Sequence, residues 1–264
     1  IAIIAGLVII GGVKRISTFA SALVPLMAVI YIVSALVIVI FNFDLVPGAF
    51  GIIIDHAFNG TAATGGFAGA TVLMAIRFGI ARGVFSNEAG LGSAPIAHAA
   101  AKTNNPPRQG AIAMLGTFFD TIIICSLTAL VIIISGSWMS GENGVALTSN
   151  AFVFGLPNIG DSIVTICLIL FSFTTIIGWS YYGERCAQYI FGTKIITPYR
   201  ILWLLSIILG AYSLNLGGQA SDSISLIWLV ADVMNGFMAL PNLIALVLLS
   251  PVIFKISKEY FSGK

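Results

Sequence analysis

Ten of the twelve Lys and Arg residues fall into four clusters, and the boundaries between those clusters carry acids but no basic residue. Lys14 and Arg15 form the first cluster, Lys102 and Arg108 the second, Arg185, Lys194 and Arg200 the third, and Lys255, Lys258 and Lys264 the last. The intervening boundaries, residues 42–65, 136–158 and 215–223, hold Asp44, Asp55, Glu142 and Asp222. Between these positions run apolar stretches of the length a helix needs to cross a bilayer, about 20 residues. Lipid offers no partner to backbone N–H and C=O groups, so each such run must be helical. The basic clusters then mark the cytoplasmic ends. Alternation at every second boundary also requires an odd number of crossings in 224–256, read here as one.

Composition points the same way. With 58% hydrophobic and only 8% charged residues, and a mean hydropathy of +1.05, the chain could not clothe a soluble domain in polar surface. A net charge of +2, scattered along the chain, excludes an electrostatic nucleic-acid footprint. Cys125, Cys167 and Cys186 lack the CxxC or Cys/His spacing of a metal site and read as reduced packing residues, with Cys186 alone placed for acylation near a basic helix end. Residues 1–12 are an apolar stub too short to cross. They are expected to be the tail of a helix that begins upstream, so that N-terminal helices of the same protein become expected partners.

Apolar runs and turn signals give the crossings as 16–41, a broken segment at 66–101, then 110–134, 159–191, 199–214 and 224–256. Residues 45–58 are apolar on one side and predict a short helix lying along the outer surface. Residues 102–109, KTNNPPRQ, are a polar turn, and 135–144 a loop. Gly236 and Pro241 predict either a kink in the last run or a surface helix feeding a crossing at 240–256.

The segment 66–101 begins as a membrane helix and then breaks the rules for one, with a polar interruption expected to begin near Phe78. Arg77 and Arg82 fall at membrane depth, and Ser86, Asn87, Glu88, Gly90, Gly92, Ser93 and Pro95 follow. Irregular polar backbone survives at that depth only where protein buries it or a wet cavity borders it, the usual mark of a transport site. Arg77 and Arg82 either snorkel or pair with acids such as Asp120 or Glu88, or act directly. Asp120 lies mid-span in GTFFDTIII beside Thr117 and Thr121. A carboxylate there costs several kcal/mol unless paired or hydrated, so it is expected to face the interior as a structural partner of the broken segment.

A second polar group lies in LFSFTTIIGWSYYGERC, residues 170–186. Ser172, Thr174 and Thr175 set hydroxyls along one helix, with Trp179 a turn beyond Thr175 and Gly178 leaving room beside it. Na⁺ is a hard cation that takes oxygen ligands, and hydroxyls with carbonyls of an unwound partner helix suit it. The same pattern also suits hydroxyls that join helices or bond back to their own carbonyls. A channel would explain the hydrophobicity and the polar breaks, but no ring-forming filter sequence is present. A membrane enzyme would need a nucleophile–base pair or metal constellation, yet His56 and His98 stand apart and neither HExxH nor GxGD occurs. His98 in PIAHAAA reads as a packing or capping residue, and Glu88 and Glu184 read as partners for Arg82 and Arg185.

Residues 82–136, which contain SNEAGLGSAP, resemble the alanine or glycine:cation symporter family of Na⁺-coupled amino-acid carriers. So do VPLMAVIY at 24–31, TTIIGWSYYGER at 174–185 and FMALPNLIALVLLS at 237–250. The resemblance implies an all-α integral membrane protein with the inverted-repeat fold typified by the bacterial leucine carrier, present here in part as a single transmembrane domain. Residues 1–41 would end the first five-helix repeat and 66–256 would form the second, with 66–101 as its unwound first helix. It implies an amino-acid pocket lined by Thr175 and Trp179, with Phe78 and Gly79 as further substrate contacts, and a Na⁺ site at Thr174 and Thr175. The family's carboxylate-binding turn and Gly-rich, Trp-containing signature belong to the first repeat, in helices this chain does not include. The implied function is symport of a small neutral amino acid, alanine or glycine, with Na⁺ as the coupling ion and no further cofactor. Alternating access would carry both into the cell, across a bacterial or archaeal plasma membrane.

Overall fold

A computed structural model of the chain describes residues 1–58, 68–213 and 220–262, and among these the regular structure is helical, with no strand. Helix α1 spans Ala2–Ile10, α2 Gly12–Phe41, α3 Val46–Phe58, α4 Ala68–Asn87 and α5 Ala94–His98. Helix α6 runs Pro106–Ile134, α7 Gly144–Gly155, α8 Gly160–Phe191, α9 Ile196–Ser213 and α10 Ala220–Phe261. Single 3₁₀ turns at Phe43–Leu45 and Thr193–Ile195 lead directly into α3 and α9, and another at Ser137–Met139 follows α6.

Among the described residues, five helices are long and apolar enough to cross a membrane: Gly12–Phe41, Pro106–Ile134, Gly160–Phe191, Thr193–Tyr212 and Ile227–Phe261. They coincide with the expected runs at 16–41, 110–134, 159–191, 199–214 and 224–256. In α10, Val247 and Leu248 are 72% and 73% exposed. At about 25 cal/mol per Å² of apolar surface, a helix displaying such side chains to water would be untenable, and in lipid it loses nothing. A short helix is present where 45–58 predicted one, as α3. The side chains of His56, Phe78 and Asp222, and all of Lys264, lie outside the described residues.

Three features depart from expectation. The interruption expected to begin near Phe78 starts ten residues later: α4 continues through Phe78 and Gly79 to Asn87. A helix-interior Gly costs only about 1 kcal/mol, and nothing beside Gly79 competes for its backbone partners. The break proper is 88–93, where Glu88 has φ 56°, Gly90 83° and Gly92 82°. Asn87 Oδ1 accepts the Ala89 N–H at 2.9 Å there, replacing a helical bond with a side-chain turn. Second, the boundary 136–158 contains an unanticipated helix, α7, too short to cross. Third, α10 is one 42-residue helix that passes through Pro241 and Pro251. At 1.5 Å per residue it is about 63 Å long, roughly twice the hydrocarbon thickness of a bilayer. Helix α6 also contains a π-helical stretch, Phe118–Cys125, centred near Asp120.

The chain divides into two compact units. The first comprises Ile1–Phe19, Asn87–Thr117 and Thr175–Lys264, and the second Ala20–Ser86 and Phe118–Thr174. In the second, Ala35, Ile38, Val131, Ala151 and Phe152 form a core with Val164. The Tyr31 ring lies 5.1 Å from that of Phe152. Thr128 donates its hydroxyl proton to the Ile124 carbonyl at 2.7 Å, so the 2.7 Å bond between Tyr31 and Thr128 is donated by Tyr31. Gly155 is required where α7 ends against α2, since a Cβ there would lie 2.5 Å from Ile38 Cγ2. Close contact of this kind stabilises helix pairs in lipid, where the hydrophobic effect does not.

The first unit is tied together by Glu184 on α8, which is 3% exposed. Arg200 of α9 grips it with Nε to Oε2 at 2.6 Å and Nη2 to Oε1 at 3.2 Å, and Arg185 adds Nη2 to Oε1 at 2.7 Å. Arg200 Nη1 also donates to the Ile10 carbonyl at 3.1 Å, satisfying an orphan acceptor at the C-terminus of α1. Tyr199 places its hydroxyl against Gly183, where any larger residue would collide with it.

Candidate functional site

In the first unit the break and α8 build a pocket together. Ser93, fully buried, donates to Glu88 Oε2 at 2.7 Å, and Tyr182 is a second hydroxyl partner of the same carboxylate. Two donors on one carboxylate hold Glu88 in place. The Trp179 ring stands edge-on to Tyr182, centroids 5.7 Å apart. Between them and Gly92, Ser93, Tyr199 and Trp203 lies an open pocket of about 320 Å³. From the other side α10 supports the break: Asn242 Nδ2 donates to the Gly90 carbonyl at 3.0 Å.

In the second unit, Asp120 on the π-helical stretch faces the end of α4. The Ser86 hydroxyl lies 2.8 Å from Oδ1 and 2.9 Å from Oδ2, and the Thr121 hydroxyl 3.3 Å from Oδ2. One proton shared between two oxygens centres the serine on the carboxylate. π-Helical turns recur at functional sites because they re-aim a side chain from the regular helix, and this one carries the span's carboxylate. The Arg82 guanidinium lies 6.0 Å from the centroid of the Phe85 ring, while Arg77 is exposed.

Thr174 donates to the carbonyls of Leu170 and Phe171, each at 3.0 Å. A hydroxyl that spends its proton on its own helix keeps its lone pairs for an outside donor or cation. Thr175, next along α8, is exposed, and Trp179 is partly buried. Gly79 is exposed, with nothing within 4 Å of the position a Cβ would take. Gly79 and Thr174 belong to the second unit, Thr175 and Trp179 to the first. Glu184 does pair with Arg185, as expected, but its closer clamp is Arg200. His98 Nδ1 is hydrogen-bonded to Gln109 Nε2 at 2.8 Å, which ties α5 to α6. The three cysteines are free; Cys167 is buried, Cys125 and Cys186 exposed.

Residues that matter here and were not singled out from sequence are Tyr182, Arg200, Trp203 and Asn242. Arg200 was visible only as a basic end charge. Asn242, in the FMALPNLIALVLLS stretch, carried one available signal, an amide next to Pro241 within an apolar run.

Long apolar helices, a polar break within one segment and membrane-depth carboxylates define a multi-pass plasma-membrane protein of the transporter class. The chain belongs to the sodium:alanine symporter family, whose profile matches residues 1–264. It is 46% identical over 264 residues to the sodium/alanine symporter AgcS of Methanococcus maripaludis, covering 98% of this chain and 55% of that relative. It is 49% identical over 263 residues to an uncharacterized transporter of Haemophilus influenzae, covering 99% of this chain and 56% of the relative. To the amino-acid carrier protein AlsT of Bacillus subtilis it is 36% identical over 261 residues, covering 98% of this chain and 53% of the relative. The chain thus spans about half the length of the curated relatives it matches.

Proposed function

We propose that this chain forms half of a Na⁺-coupled carrier that brings a small neutral amino acid, alanine or glycine, into the cell by alternating access. Membership of the sodium:alanine symporter family and relatives named as a sodium/alanine symporter and an amino-acid carrier support a carrier over an enzyme or a channel. In this reading the fold is the inverted-repeat bundle, with residues 1–41 closing the first repeat and 66–256 forming the second. Na⁺ binds at Thr174 and Thr175 with carbonyls of a first-repeat helix. The amino acid contacts Thr175 and Trp179, with Phe78 and Gly79 as further substrate contacts, and Trp179 limits the volume. Asp120 holds the broken segment through Ser86, and Arg77 and Arg82 are structural intramembrane charges.

The observation that carries the coupling is the Thr174 hydroxyl, whose proton is given to the Leu170 and Phe171 carbonyls so that its oxygen is free to ligate. Neutral oxygens alone suit Na⁺, and inward movement of each charge gains about 2.3 kcal/mol per ~100 mV of membrane potential. The test is uptake of labelled alanine by the full-length protein in vesicles, with and without a Na⁺ gradient. Uptake should need Na⁺, and Thr175→Ala should reduce it at least tenfold. Uptake indifferent to Na⁺ would refute the coupling.

A further inference from the structure

Asp120 is the central residue of α6, a 29-residue helix. At about 1.5 Å per residue that helix overspans the hydrocarbon layer at both ends, which sets the carboxylate near the bilayer midplane. Both of its oxygens are engaged, by the Ser86 hydroxyl at 2.8 and 2.9 Å and by the Thr121 hydroxyl at 3.3 Å. The Cys125 thiol is a further neighbour of the group. Every one of these partners is neutral, and among the described residues Asp120 enters no ion pair. Arg82, one turn before Ser86 on α4, has its guanidinium toward the Phe85 ring. Hydroxyls orient a carboxylate, but they leave its charge whole. A charge withdrawn from water is held by an opposite charge or coordinates a metal ion.

The oxygens present are those a hard monovalent cation takes. Ser86 gives its single hydroxyl proton to the carboxylate, and the same oxygen keeps lone pairs for a cation. Ser86 Oγ and Thr121 Oγ1 lie 2.9 and 3.3 Å from Asp120 Oδ2. Neighbouring oxygens around a hard cation bound at about 2.4 Å are spaced by about 3.4 Å, so small movements complete the set. One carboxylate among neutral oxygens balances one positive charge, whereas divalent sites gather several carboxylates. Ser86 is exposed and Asp120 half-buried, so an ion can reach them. The carboxylate stands on the π-helical stretch of α6, a distortion that recurs at functional sites. We propose that Asp120, Ser86 and Thr121 form a site for a second Na⁺, in addition to the position at Thr174 and Thr175. Two inward charges per solute would square the accumulation that one sustains from the same gradient. The inference rests on the amino-acid carrier reading.

The experiment is paired uptake of radioactive Na⁺ and labelled alanine by the full-length protein in vesicles, with external Na⁺ titrated. Wild type should take up two Na⁺ per alanine with sigmoidal Na⁺ dependence. Asp120→Asn keeps an acceptor oxygen for Ser86 but no charge, and should take up one, with hyperbolic dependence. Asp120→Glu should retain the ratio of two. Ser86→Ala keeps the charge and removes a ligand, so it should retain the ratio while raising half-saturating Na⁺ about fivefold. A carboxylate that only braces α4 would slow uptake alike in Asp120→Asn and Ser86→Ala with ratio and half-saturation unchanged, and that result overturns the site. So does a ratio of one in wild type, which leaves Na⁺-coupled symport standing. Uptake driven by a pH gradient without Na⁺, present in wild type and lost in Asp120→Asn, would assign a proton to Asp120 and overturn Na⁺ there. If Asp120→Asn does not reach the membrane, Ser86→Ala decides, and unchanged half-saturating Na⁺ refutes the site. Alanine uptake indifferent to Na⁺ in wild type sinks this site and the coupling together.

Discussion

Replacing Glu184 with Gln tests the idea that one buried carboxylate fastens α1, α8 and α9 within their unit. The side chain is 4% exposed, so water screens the pair poorly and the removed charge is not rehydrated in place. Gln keeps the shape and one acceptor oxygen but turns the other into a donor facing guanidinium N–H groups. Of the contacts at 2.6, 2.7 and 3.2 Å, at least one charge-assisted bond is lost outright, about 1.5–3 kcal/mol. Arg200, 20% exposed, is left partly buried beside an amide, and the total should reach about 3–5 kcal/mol. Arg185, at 36% exposure, can turn to solvent, so its share is discounted. Arg200→Gln should cost a similar amount and additionally free the Ile10 carbonyl.

The double variant Glu184→Gln, Arg200→Gln leaves neither charge stranded, so its loss should fall short of the summed single losses by about 1–3 kcal/mol. The measurement is equilibrium unfolding in mixed detergent–SDS micelles, followed by far-UV circular dichroism, with hydrogen exchange at residues 8–12 as a local readout. Exchange there should accelerate in Arg200→Gln more than in Glu184→Gln. Single variants within about 0.5 kcal/mol of wild type, or strict additivity in the double, would refute a coupled buried clamp.

Asp120→Asn should lower stability by about 1–3 kcal/mol, and so should Ser86→Ala, with the two effects less than additive because they break one contact; full transport and normal expression in Asp120→Asn would end its structural role. Gly92→Ala should destabilise by about 1–2 kcal/mol from its φ of 82° alone, with more from a Cβ only 3.0 Å from Asn242 Oδ1, and Asn242→Ala should relieve that second part. Gly79→Ala is its control in thermal-unfolding assays: the added methyl meets nothing within 4 Å, so stability should hold or rise by about 1 kcal/mol.

Crossings were legible because the bilayer imposes both length and charge placement on the sequence. The five long apolar helices required only that runs such as 159–191 be apolar and bounded by polar turns. Helix α7 escaped because its twelve residues are too short for that test, and its packing against Ile38 involves Gly155, a residue with no side chain to read. Of the polar residues, Asp120 announced itself through the cost of a mid-span carboxylate, and Ser86 of the broken segment is its contact. Trp203 did not, because an aromatic residue in an apolar helix is ordinary until its indole nitrogen is found buried without an acceptor among the described residues.

Where a helix breaks is decided by competition for backbone partners, which explains why Gly79 stays helical and Gly90 does not. Gly79 is flanked by Phe78 and Ile80, which offer the backbone no hydrogen bond, so the helical bonds have no rival. At 87–93 other partners are at hand: Asn87 takes the Ala89 N–H, the Glu88 carbonyl takes the Leu91 N–H at 3.2 Å, and Gly90 and Gly92 supply the left-handed turns. Glu88 itself adopts φ 56° without being Gly, which costs about 1–2 kcal/mol. Its carboxylate, held by Ser93 and Tyr182, makes that strain tolerable. The last support, Asn242 on the Gly90 carbonyl, comes from 152 residues away. Local spacing can therefore indicate that 66–101 must break, but the position depends on a partner brought in by the fold.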